Sequence, residues 1–410
     1  MLRALTQAAT AATNPLARAV FLDAARRLRV GSLTIEMPDG RAEDVRGVDS
    51  GPHAVLQVKD PAFYRQFLLH GEIGFGEAYQ HRLCDSPDLV ALLELALLNR
   101  QAVDFNKGIL SLVSRLGNRR LHERRGNTLE RSSDNIHAHY DLGNAFFQLF
   151  LDETLTYSCA VFERPDQPLA DAQRNKYDRI CRMAGIGEGD RVLEIGTGWG
   201  GFAIHAAKTY GCNVTSITIS REQLDLATQR VEEAGVASLV DIQFADYRDV
   251  AGRYDKVVSI EMFEAVGVEY FETFFAKCAG VLEPGGKLVM QVITVAESSY
   301  EAQQSGVNWI QKYIFPGGVL PSVEQMERSN AGTGLVVASV EDIGAHYVTT
   351  LQQWRQSFWD RIDAVRALGY DDWFIRTWDY YLAACEAEFR TRTARNVQIV
   401  FDKAGQALHP

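Results

Sequence analysis

The chain has 410 residues, 46% hydrophobic and 23% charged, a composition that supports a full core and two domains. Its formal net charge of -11 argues against a protein that binds nucleic acid through overall charge, although an acidic sum is compatible with a local basic face. The six cysteines (Cys84, Cys159, Cys181, Cys212, Cys278 and Cys385) form no CxxC, and the close pair His137 and His139 lacks acidic or thiol partners at metal spacing. We therefore expect neither a disulfide framework nor a metal site, and read the thiols as those of a reduced, cytoplasmic protein.

In chain order, residues 1 to about 28 read as an Ala- and Leu-rich helix, in which Arg3, Arg18, Arg26 and Arg27 interrupt any signal-peptide core. Residues 30 to 60 read as short strands: Ser32 to Glu36 alternates, and Ala54 to Val58 follows a Gly-Pro turn. Phe63 to Leu69 and Leu89 to Leu98 read as helices. The latter is the longest apolar run, is interrupted by Glu94, and falls short of the roughly 20 residues that span a bilayer. Arg115, Arg119, Arg120, Arg124, Arg125 and Arg131 then form a basic stretch, either a solvated linker or a surface for anionic headgroups. The composition shift there places a domain boundary near residue 125, giving 1–125 and 126–410.

From residue 190 strands and helices alternate, the pattern of an α/β parallel sheet covered on both faces. Arg191 to Ile195, Asn213 to Ile219, Val240 to Phe244, Lys256 to Ile260 and Lys287 to Thr294 are the strands. Helices are expected over Phe202 to Thr209 and Arg221 to Ala234, and the chain after residue 320 reads as mostly helical.

The first of these strands runs into the turn Gly196-Thr197-Gly198-Trp199-Gly200-Gly201, whose backbone N–H groups and following helix N-terminus can approach a ligand closely. Such a turn serves several nucleotide cofactors. Glu194 sits where it could accept from nearby N–H groups and orient the loop. The second strand ends in Thr218-Ile219-Ser220, without the acid a dinucleotide enzyme uses on the ribose, so Thr218, Ser220 and Gln223 would have to serve there. Asp246-Tyr247 follows the third strand, where an acid can accept an adenine amino group. This order of pieces resembles the class I methyltransferases and points to S-adenosylmethionine (SAM).

The words HYDLGN (139–144), TYSCA (156–160), LEIGTGWGG (193–201), TISREQ (218–223), EMFEAVG (261–267) and WIQKYIFPGG (309–318) occur in that order. Together they resemble the cyclopropane-fatty-acid synthase family, which includes mycolic acid and fatty-acid C-methyltransferases. Gly71 to Tyr79 is similar to the smaller N-terminal domain of the full-length bacterial synthases. The resemblance implies a Rossmann-like methyltransferase domain with a helical lid and acyl tunnel, beside a smaller N-terminal α+β domain for membrane docking or dimer contact. It implies a substrate alkene in a phospholipid acyl chain, methylated by SAM, with the cation deprotonated by bound bicarbonate to close a cyclopropane ring. Because that substrate lies in a bilayer, the enzyme is expected to dock peripherally at the inner membrane surface, and a homodimer is expected.

By residue match, Tyr157, Ser158, Gly196, Gly198, Thr218, Gln223, Asp246 and Tyr247 line the SAM site, with Trp199 nearby. Bicarbonate maps onto Cys159, Glu264, Gln291, Ile293 and Tyr313. Cys385 matches a cysteine sometimes named as the active site, although an alkene nucleophile requires no covalent thiol. The alternatives at single positions are structural: a packed thiol at Cys159, a helix cap at Glu264, core at Tyr313. Two positions depart from the family pattern, Ala265 and Gln291 each replacing histidine, and Gln cannot relay a proton as imidazole can. This leaves open methylene or methyl-branched products, by fatty-acid C-methylation, besides cyclopropane. A small-molecule N-methyltransferase and a non-catalytic lipid-binding protein are the rival readings.

Overall fold

The computed structural model describes residues 15–102, 142–303 and 307–405; the basic stretch from Arg115 to Arg131, His137, His139 to Asp141 and the first fourteen residues lie outside them. The chain forms two compact units. The first takes Met1–Arg124 together with two later segments, Gln303–Ile314 and Gly369–Thr393, and so is not one contiguous stretch. The second takes Arg125–Ala302, Phe315–Leu368 and Ala394–Pro410.

In the first unit, residues 15–25 are helical. Val30–Glu36 (β1) alternates buried and less buried side chains and pairs antiparallel with Ala42–Arg46 (β2) and parallel with Asp49–Val58 (β3), which carries the short Cys84–Asp85 (β4). Helix Leu89–Leu98 starts where the Asp88 carboxylate accepts from the Ala91 N–H, and it buries Leu92, Leu93 and Leu95. Helix Ala62–Gln80 runs well beyond the predicted Phe63 to Leu69; it breaks at Gly71, whose φ of 55° suits glycine. Helix Asp372–Arg390 joins it through the Tyr79 hydroxyl, which donates to Asp379 at 2.8 Å, and through Gln80, which donates to Thr377 at 2.8 Å.

In the second unit, Arg191–Ile195 (β5), Asn213–Thr218 (β6), Val240–Phe244 (β7), Tyr254–Ile260 (β8) and Leu282–Val295 (β9) form a parallel array. Leu335–Asp342 (β10) and Ala394–Lys403 (β11) extend it, giving the order β10-β11-β9-β8-β5-β6-β7 among the described residues. β11 lies antiparallel to both neighbours, so the sheet is mixed rather than purely parallel. The expectation of mostly helix after residue 320 missed both strands. β11 is buried on both faces, with Val397, Ile399 and Phe401 in one core cluster and Val400 in the other. Such a strand has no period-two alternation to reveal it. Helices Leu169–Ala184 and Gly201–Tyr210 cover the face bearing Val192, Val214 and Val258, whereas Phe271–Val281 and Val323–Asn330 cover the opposite face. Strand order reverses between β5 and β8, which places the ligand crevice of an open α/β sheet at their carboxyl ends.

Candidate active site

At the end of β5, Gly196, Gly198 and Gly200 hold φ of 101°, 52° and 83°, a left-handed path open to glycine. The Gly196 and Thr197 N–H groups both donate to the Ile217 carbonyl at 3.1 Å. A Cβ on Gly196 would lie 3.0 Å from the Met262 side chain, whereas one on Gly198 would meet nothing within 4 Å. The turn is therefore packed against β8's exit on one side and open at Gly198. The expectation that Glu194 receives the loop N–H groups is not met: Gly196 and Thr197 donate to Ile217 instead. Its carboxyl accepts from the Ser216 hydroxyl at 2.5 Å, and Ser216 shares a 2.7 Å hydrogen bond with the Thr197 hydroxyl. Burial pushes Glu194 up to about 8, opposed by the Ser216 hydrogen bond and the Lys176 charge.

Lys176, which carries no sequence motif, is fully buried and donates to the Ser158 hydroxyl at 2.7 Å. Burial holds its ammonium down at about 8, against the attraction of Glu261 and other acids. Upstream, the Trp199 indole donates to Asn144 at 2.7 Å and its ring lies 5.0 Å from Phe147. Tyr157 packs on Phe147 and Trp354 at 5.4 and 5.2 Å. A hydrogen bond and ring packing thus tie Asn144 and, through Phe147, Tyr157 to Trp199 of the glycine turn.

The hydroxyls expected for a ribose cap the next helix. Ser220 accepts from the Gln223 N–H at 3.3 Å and donates to Glu222 at 3.0 Å. Thr218 donates to the Gln223 side chain at 2.9 Å. Asp246 accepts from the Arg248 guanidinium at 2.8 and 2.7 Å; burial opposes its ionisation, but Arg248 holds the carboxyl below its ordinary value. Tyr247 packs on Phe274 at 5.4 Å, and its buried hydroxyl has no partner among the described residues.

One residue past β8, Glu261 adopts φ 49° and its N–H donates to the Gln291 carbonyl at 2.7 Å. Its Oε1 accepts from the Cys159 N–H at 2.9 Å, the Gln291 amide at 2.9 Å and the Asn396 amide at 2.6 Å; its Oε2 accepts from the Tyr347 hydroxyl at 2.7 Å. Sequence reasoning did not single out Glu261, although its backbone conformation is one a non-glycine residue seldom adopts without cause. Nearby, Glu264 Oε1 accepts from the Ile293 N–H at 2.6 Å, while Oε2 is enclosed without a partner among the described residues. Burial, then the charge of Glu261, pushes Glu264 up to about 8. Glu264 lies in the one-turn helix Phe263–Ala265 and caps no later helix with its carboxyl.

The residues expected to cradle bicarbonate are therefore engaged by the protein's own carboxyls. Cys159 and Gln291 donate to Glu261, and Ile293 donates to Glu264. The Tyr347 hydroxyl donates to Glu261, and the Tyr313 hydroxyl, within the first unit, donates to Glu77 at 2.7 Å. The Cys159 thiol is directed at the Ala160 carbonyl at 3.3 Å, and burial raises it well above its ordinary value. Cys385 also belongs to the first unit, and burial raises its thiol in the same way. The donor set does not fit a bound bicarbonate.

The mycolic acid cyclopropane synthetase family matches residues 127–399. The chain belongs to that family. It is similar to the tuberculostearic acid methyltransferase UfaA1 of Mycobacterium tuberculosis, 39% identical over 92% of this chain and 90% of that one. It is also similar to the cyclopropane-fatty-acyl-phospholipid synthase of Escherichia coli K12, 34% identical over 87% and 90% of the two chains. Among solved structures, the mycolic acid cyclopropane synthase CmaA1 in complex with SAH and CTAB superposes with a TM-score of 0.62 at 31% identity, covering 66% of this chain and 98% of CmaA1. The chain is accordingly a SAM-dependent methyltransferase of the lipid-modifying family. Its residues fit the cofactor: the turn is open at Gly198, and the orphaned Tyr247 hydroxyl lies after β7.

Proposed function

We propose that this family member methylates the carbon–carbon double bond of an unsaturated acyl chain carried on a membrane phospholipid. SAM supplies the methyl group. The alkene is the nucleophile, so the protein needs no covalent nucleophile, in keeping with two cysteine thiols, Cys159 and Cys385, held protonated by burial. What the chemistry requires of the chain is negative charge beside a developing carbocation and an acceptor for the proton lost. The observation that carries the reading is the carboxyl pair Glu261 and Glu264 beyond β8, where Met262 packs against the cofactor turn.

Loss of a proton from the transferred methyl closes a cyclopropane ring, the product we favour. A hydride shift before that loss gives an exocyclic methylene instead; similarity to UfaA1 over nearly the whole chain supports this second reading. Saturating the methylene to a methyl branch requires a hydride donor outside this chain. No helix among the described residues is long and apolar enough to cross a membrane. In this proposal the enzyme reaches lipid from the inner membrane surface. The first unit, with Leu16, Val20, Leu69 and Trp373 exposed, serves as the docking or homodimer-contact element.

Purified enzyme given SAM and vesicles of cis-unsaturated phospholipid should release S-adenosylhomocysteine and yield lipid one methylene heavier, with none from saturated vesicles. NMR of the product separates ring protons from an exocyclic methylene. Turnover on free amines but not on lipid would overturn the reading.

A further inference from the structure

We infer that the Glu261 carboxylate takes the place of a bound bicarbonate and is the base that accepts the proton from the transferred methyl group. The inference rests on the reading of the reaction given above. A bicarbonate site is a ring of donors around a small planar anion carrying two or three oxygens. Here the Cys159 N–H, the Gln291 amide, the Asn396 amide and the Tyr347 hydroxyl form such a ring, and the anion inside it is covalently attached to β8's exit. These donors come from four separate parts of the chain. Gln291 and Asn396 lie in neighbouring strands, β9 and β11.

The occupancy of the two oxygens is unequal. A carboxylate offers about four lone-pair directions. Oε1 takes three donors, whereas Oε2 takes one, the Tyr347 hydroxyl, among the described residues. Oε2 therefore retains acceptor capacity for a proton while Tyr347 fixes its direction. The backbone supports the same conclusion. Glu261 sits at φ 49°, where glycine is at ease and glutamate is not, and its N–H is tied to the Gln291 carbonyl at 2.7 Å. The chain thus accepts a left-handed residue to deliver this side chain into the donor ring. Met262, the next residue, contacts Gly196 of the cofactor turn, so the carboxylate is delivered at the crevice where the methyl arrives.

The step balances without a further reactant. The alkene π pair forms the new carbon–carbon bond to the methyl carbon, and the carbon–sulfur pair stays on sulfur. A C–H pair of that methyl then closes the ring, or after a hydride shift forms the exocyclic double bond. The proton passes to Glu261 Oε2 and afterwards to solvent.

The test uses the full chain with cis-unsaturated phospholipid vesicles, in buffer stripped of carbon dioxide and again with added bicarbonate. Wild type should be indifferent to bicarbonate. Glu261→Gly, which suits the local φ and empties the ring, should lose about a hundredfold or more in product formation and recover in part with bicarbonate or formate. Glu261→Gln, which keeps the ring filled, should lose as much and not recover. Carbon-13 bicarbonate should bind Glu261→Gly in NMR titrations and not wild type, while SAM affinity by calorimetry stays unchanged in all three. Wild-type activity that falls on stripping and returns with bicarbonate would overturn the inference, as would a fully active Glu261→Gly in stripped buffer. If wild type releases no S-adenosylhomocysteine with unsaturated lipid while binding SAM, the reading of the reaction fails, and the inference fails with it.

Discussion

Glu264→Gln isolates the electrostatics of the carboxyl pair. In the folded protein Glu264 is pushed from 4.5 up to about 8 by burial and then by the charge of Glu261. Between those values the unfolded chain has released this proton and the folded chain still binds it, so stability falls as pH rises. The group's contribution is fully present below 4.5 and lost by about pH 8, at ~1.4 kcal/mol per pH unit. Glutamine keeps the shape and its carbonyl can still accept from the Ile293 N–H, but it does not titrate. The variant should match wild type near pH 4.5 and be more stable by about 3 kcal/mol at pH 7 and about 4–5 kcal/mol above pH 8. Urea unfolding of both proteins across this range, monitored by tryptophan fluorescence, gives the difference directly. Glu194 and Glu388 are raised by the same kind of burial, but they titrate in both proteins and cancel. Parallel stability curves, differing by less than ~1 kcal/mol across the range, would show that Glu264 ionises normally and would refute the argument.

Gly198→Ala should fold, because its Cβ meets nothing within 4 Å, yet φ 52° costs roughly 1–2 kcal/mol and the methyl enters the cofactor's approach; SAM affinity by calorimetry should fall about tenfold or more. Lys176→Met removes an ammonium that burial holds at about 8 against an ordinary 10.5. Because a depressed lysine loses stability as pH falls through its folded value, the charged group costs about 3 kcal/mol at pH 7. Losing the Ser158 hydrogen bond offsets about 1 kcal/mol of that gain, so the variant should melt higher at pH 7 and show no such advantage above pH 10.5. Gln291→His replaces an amide donating to both the Cys159 carbonyl and Glu261 by a ring that, when neutral, donates once; stability should drop by about 2 kcal/mol, measured by urea unfolding.

Much of the second unit was legible because its signals are local. β5 to β9 announce themselves by apolar runs between turns, and the cofactor turn by glycines at positions where φ is positive. The double burial of β11 erased its alternation, and Tyr347, whose hydroxyl donates to Glu261, lay outside the words that pointed to the site. The first unit recruits Gln303–Ile314 and Gly369–Thr393, segments whose membership depends on distant contacts such as Tyr79 with Asp379. That recruitment also bears on experiment. Deleting the first 120 residues would strip helix Asp372–Arg390 of its partners, so membrane docking is better probed by point changes at Leu16 or Trp373.

The departure at Gln291 acquires a physical reason once Glu261 is in view. Read alone, glutamine for histidine removes a group able to relay a proton. Beside a carboxylate already held by the protein, the position needs a neutral group that donates twice and accepts once. Gln291 donates to Glu261 at 2.9 Å and to the Cys159 carbonyl at 3.1 Å, and accepts from Gln398 at 3.0 Å. A neutral imidazole has one N–H and one acceptor nitrogen and would leave a buried partner unsatisfied, at roughly 1–3 kcal/mol. An imidazolium would donate twice but could not accept from Gln398. Glutamine at 291 and glutamate at 261 thus answer one requirement, a donor ring matched to a built-in anion. The sequence departure most suggestive of a weakened anion site is the one that fits the anion the chain supplies itself.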